Sequence, residues 1–100
     1  MKIKLMIDGE EKTFVAPFLK GRLYKDFFDI QKRLKSNITP ESMDIMIDFV
    51  CRVYGNQFTI DDYWDGVPLN KTLSEIVRTV NEIGQMIASD VQGDDQHTHG

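Results

Sequence analysis

Asp61, Asp62 and Asp65 form the one acidic cluster in a patterned part of the chain, and carboxylates so close together can do general acid–base work or hold a metal ion. Asp61 and Asp62, however, fall in the first turn of an expected helix, where exposed backbone N–H groups favour negative charge. No second catalytic partner accompanies them. His97 and His99 have the right type for metal ligation, but an i, i+2 pair in a polar terminal stretch is not held in place as a metal site requires. Cys51 lies near the apolar face of another expected helix with no structured histidine beside it, so it reads as a core thiol. Neither a glycine-rich phosphate loop nor a dinucleotide fingerprint is present. We expect no catalytic residues, no metal and no cofactor, and a protein that works by holding other proteins.

The elements follow from periodicity. Ile3, Leu5 and Ile7 alternate with Lys2, Lys4 and Met6, the signature of a strand with one buried face. Asp8-Gly9 then predicts a tight turn, and Lys12 to Ala16 reads as the returning strand, closed by Pro17. Leu23, Phe27, Ile30 and Leu34, widened by Phe28, mark one stripe of a helix near 20–35. Thr39-Pro40 opens a second helix near 40–54, whose apolar face is Met43, Met46, Ile47, Val50 and Tyr54; Gly55 suits a left-handed cap. Thr59 with Asp62 forms a capping box for a short helix near 60–65. Asn70 is expected to cap the last helix, near 70–88, with Leu73, Ile76, Val77, Val80, Ile83 and Ile87 as its stripe. The class is α+β: mainly α-helical, an N-terminal β-hairpin at 2–16 followed by about four helices. We read residues 1–89 as one domain and 90–100 as a disordered acidic tail.

Bulk properties agree with an adaptor. One hundred residues make one domain with a modest core. A lone cysteine excludes an intrachain disulfide, no apolar run is long enough for a membrane span, and no signal-peptide core is seen, which together suggest a cytosolic chain. The net charge of −4 hides a split: residues 1–35 carry nine Lys/Arg against five Asp/Glu, the rest three against eleven. Such a split allows the basic part of one copy to meet the acidic part of another. With Met6 and Phe18 lacking obvious cover, a homo-oligomer is expected.

Tyr54-Gly55-Asn56-Gln57-Phe58-Thr59-Ile60-Asp61-Asp62-Tyr63-Trp64-Asp65-Gly66 is the most distinctive stretch. A helix ends at Gly55, the chain turns through Asn56-Gln57, and Phe58 is placed to staple against Tyr63 across the cap. This stretch resembles the tail assembly chaperones of long-tailed bacteriophages, particularly phages of Gram-positive hosts, in which a helix ends in a similar (F/Y)GNQF turn before an acidic-aromatic helix and a glycine. The resemblance takes in the hairpin, Leu23-Tyr24-Lys25-Asp26-Phe27 and the closing helix, covering about residues 1–88.

What the resemblance implies is a protein of the infected host cell's cytoplasm, absent from the mature virion. Such a protein binds the tape measure protein and helps recruit tail tube subunits, often beside a frameshifted longer form of itself. No catalytic residues come with the family. For partner contacts we name, from side-chain type alone, Met43, Phe58, Tyr63 and Trp64, since exposed aromatics and methionines pack well against an amphipathic helix. A small DNA-binding regulator is the alternative, because Lys20, Arg22, Lys25, Lys32, Arg33 and Lys35 make the first helix basic. Asp26 and Asp29 interrupt that run, and no helix has a base-reading face, so nucleic acid is not the expected partner.

Overall fold

The hairpin at the start of the chain is pinned by its turn. Strand β1 (Lys2–Ile7) pairs antiparallel with β2 (Glu10–Val15), Ile7 opposite Glu10. The two residues between them, Asp8 and Gly9, both have positive φ (52° and 81°), the geometry of a type I′ turn. Ile3 and Leu5 face inward while Lys2, Lys4 and Met6 face solvent, as the alternation predicts. The computed structural model describes the backbone of residues 1–99 and the side chains of residues 1–91.

Four helices follow: α1 (Leu23–Leu34), α2 (Pro40–Val53), α3 (Ile60–Gly66) and α4 (Thr72–His99). The α+β class expected from the sequence is the one observed. Helix α1 begins later than predicted because Lys20, Gly21 and Arg22 are spent on successive i→i+3 turns and no side chain caps the helix. Its inner face is Leu23, Phe27 and Ile30; Phe28, expected to widen that face, is instead exposed. Helices α2 and α3 start as predicted, on capping boxes built by Thr39 with Ser42 and by Thr59 with Asp62.

Helix α2 is the centre of the molecule. Besides the predicted face it buries Phe49, Cys51 and Val53, so its apolar face is wider than that of a surface helix, and only a strip with Glu41, Asp44 and Ile45 meets solvent. Helix α1 lies on one side of it, and α3 and α4 lie on others. Helix α3 also packs on β1 so closely that a Cβ on Gly66 would come within 2.8 Å of the Met6 carbonyl oxygen.

Asn70 does not cap α4; it sits within a single 3-10 turn (Leu69–Lys71), after which the helix starts at Thr72. The core stripe of α4 is Ile76, Thr79, Val80 and Ile83, with the Thr79 hydroxyl bonded to the Glu75 carbonyl. Leu73 and Val77, expected within that stripe, are exposed. The α4 backbone continues past Ser89 to His99. The expected tail at 90–100, and His97 and His99 with it, falls almost wholly outside the described side chains.

Candidate functional site

The Tyr54–Phe58 turn is a joint in which each residue has a mechanical task. Gly55 (φ 69°) and Asn56 (φ 57°) are both left-handed. The Asn56 N–H donates to the Cys51 carbonyl at 2.8 Å and the Gly55 N–H to the Arg52 carbonyl at 3.0 Å. These are the paired bonds of a Schellman cap. The Gln57 amide nitrogen then donates to the Tyr54 carbonyl (2.7 Å) and to the Val15 carbonyl (2.8 Å), tying the hairpin to the end of α2. Phe58 rests its ring on Phe14 (5.1 Å) and Tyr54 (5.7 Å). The hairpin thus supplies one of the ring partners of Phe58, where the sequence suggested a local staple to Tyr63.

Of the four expected partner contacts, Met43, Phe58 and Tyr63 are buried in the core, and only Trp64, 39 % exposed, reaches the surface. Tyr63 points inward and donates its hydroxyl to the Thr72 carbonyl at 2.7 Å. Burial, followed by the charge of Glu75, raises its pKa. Trp64, the next residue, points outward, its indole Nε1–H donating to Asp44 Oδ1 at 2.7 Å. Adjacent helical residues diverge by about 100°, and on a helix with one side in the core the two aromatics part, one inward and one outward. Which one depends on how α3 lies against β1.

The residues considered for chemistry have structural surroundings. Asp62 accepts from the Thr59 N–H, while Asp61 and Asp65 stand exposed. Burial, helped by Asp48 and Asp62, pushes the Cys51 thiol up to about 11, which leaves little thiolate at neutral pH. Among the described residues no three His, Cys, Asp or Glu side chains gather to hold a metal ion. A cleft of about 340 Å³ between the hairpin and the start of α4 is crossed by charges of which several satisfy one another. Arg78 bonds Glu75, Glu82 and the Lys2 carbonyl, and Lys4 lies 4.0 Å from Glu11. Behind that network the Tyr54 hydroxyl is buried with no hydrogen-bond partner among the described residues. Burial raises its pKa and the Arg78 charge partly opposes the rise.

A surface suited to an apolar partner lies between α1 and α4. A mostly apolar groove of about 190 Å³ is lined by Leu19, Leu23, Tyr24, Ile83, Met86 and Ile87. Tyr24 and Phe28, 5.6 Å apart, extend it along α1, and Tyr24, Phe28 and Met86 are all exposed. None of these was singled out from the sequence as a contact. The available signal was Tyr24 and Phe28, an i, i+4 aromatic pair set off the buried stripe of α1.

A family model described as phage tail chaperone protein matches residues 1–99. No curated protein and no solved structure matches the chain. The family match runs from the hairpin through the Tyr54–Phe58 joint and along α4, beyond the 1–88 over which the sequence resemblance was drawn, and on that ground the chain belongs to the phage tail chaperone family.

Proposed function

We propose that this tail chaperone binds the tape measure protein of its phage through the groove between α1 and α4, and so helps recruit tail tube subunits around it. The observation that carries the reading is an uncovered apolar groove on a member of this family. A tape measure protein is expected to be a long series of amphipathic helices, whose apolar stripes aggregate in water until something covers them. Leu19, Tyr24, Met86 and Ile87 offer the apolar cover, in the manner of helix-in-groove recognition. The net charge of −4 contributes solubility. The protein acts by binding and not by catalysis, in the host cytoplasm, in several copies, alongside a frameshifted longer form, and leaves before the virion is complete.

Co-expression tests this. The tape measure protein should remain soluble with this chain and co-purify with it. Tyr24→Ala with Met86→Ala should release it, because aromatic anchors often contribute about 2 kcal/mol or more each in such grooves. Both side chains are exposed, so the fold should survive. A tape measure protein that stays insoluble with this chain, with its longer form and with both would end the proposal. Affinity falling steeply with salt would point to phosphate contacts instead.

A further inference from the structure

We propose that two copies of this chain dock end to end, the Trp64 face of one seated in a basic cleft beside Phe18 of the next. This rests on the proposed self-association and adds the two surfaces that would make it. They lie at opposite ends of α2. At its C-terminal end, a cleft of about 290 Å³ is lined by Pro17, Phe18, Lys20, Arg22, Gly55 and Asn56. Phe18 forms its rim and is 87 % exposed, a large apolar area to leave in water. Arg52, also at the cleft, is neutralised by Asp26 and Asp48. Lys20 and Arg22 have no ion-pair partner among the described residues.

At the N-terminal end of α2 the signs are reversed. Glu41 and Asp44 of α2, with Asp61 and Asp65 of α3, are exposed and form no ion pair among the described residues. Trp64 stands among them, its indole fixed by the bond to Asp44. A helix of 14 residues is about 21 Å long, so one chain cannot bring its own Trp64 to its own cleft. A second copy can. The indole would meet the Phe18 ring and the Arg22 guanidinium, a favourable cation–π pairing, while the carboxylates would face Lys20 and Arg22. Because the two surfaces differ, the contact is heterologous and can continue into a ring or an open row.

The test is sedimentation velocity on the full chain and two charge-reversed variants, Lys20→Glu with Arg22→Glu, and Asp61→Lys with Asp65→Lys. The parent should associate with rising concentration, less so at high salt. Each variant alone should associate about tenfold or more weakly: the first sets two acidic faces against each other, and the second cancels the charge of the Trp64 face, since two lysines then balance Glu41 and Asp44. An equimolar mixture of the two should associate again. All four positions are at the surface, and near-UV circular dichroism checks the fold; Arg22→Gln and Asp65→Asn replace any variant that fails it. A monomeric parent, variants that associate as the parent does, or a mixture that gains nothing would each overturn the proposal. Lys20 also lines the α1–α4 groove, whereas Asp61 and Asp65 do not, so solubility of the tape measure protein with the Asp61→Lys, Asp65→Lys variant reports on the other reading separately.

Discussion

Replacing Gly55 by alanine should destabilise the protein without touching its core. At φ 69° an L-residue brings its Cβ against the following carbonyl, costing about 1–2 kcal/mol. The new methyl would also lie 2.9 Å from Cγ of Pro17. The hairpin end must shift to relieve that contact, and Gln57 binds the neighbouring Val15 carbonyl, so the shift strains a second bond. The usual gain of about 0.4–1 kcal/mol from stiffening the unfolded chain applies only where alanine fits the native backbone, which it does not do here. A net loss of about 1–3 kcal/mol is expected, and for a domain of this size each kcal/mol lowers Tm by about 4–8 °C. Thermal melts and urea titrations of Gly55→Ala and the parent measure it. Asn56→Gly is the control: Asn56 is already left-handed at φ 57°, so glycine there should be nearly neutral. If Gly55→Ala melted within about 2 °C of the parent, the account of this joint as conformationally obligatory would be wrong.

Three further outcomes are expected. Tyr63→Phe removes the hydroxyl bonded to the Thr72 carbonyl and should cost about 1–2 kcal/mol in urea unfolding, with partner binding unchanged because the ring stays in the core. Cys51, with its pKa raised from 9.0 to about 11, should resist alkylation at pH 8 until the protein is unfolded. Its raised pKa also means that stability is fully present below pH 9.0 and declines as the unfolded thiol ionises first, up to about pH 11; Cys51→Ala should flatten that part of the stability profile. We further propose that residues 90–100 contribute little to folding, so a chain ending at Ser89 should melt within a few degrees of the full one.

What could be read from the sequence was local. Asp8-Gly9 dictates a turn by its own backbone preferences, Thr39-Pro40 opens α2, and Thr59 with Asp62 closes a capping box within four residues. The element order followed from those signals. What escaped depended on neighbours distant in the chain. Phe49 and Val53 look like the back of an amphipathic helix until α2 is seen to be covered on that side too. Tyr63 and Trp64 are equivalent by type, and only the seating of α3 against β1 sends one to the core and the other to solvent. The groove joins Tyr24 to Met86, a pairing that no period within either helix can announce.

The Arg78 contact to the Lys2 carbonyl, at 2.8 Å, spans 76 residues of sequence, and this bears on how the chain is made. A two-residue hairpin closes in microseconds, yet two strands alone are marginal in water. Until α3 and α4 arrive, Ile3 and Leu5 have little to rest on. At about 5–20 residues per second of synthesis, the hairpin would be out for several seconds before Arg78 follows. Lys2, Lys4, Glu10, Glu11 and Lys12 keep both strands charged through that interval, which discourages pairing with a neighbouring nascent chain. An element synthesised before all four helices is therefore among the last to be secured.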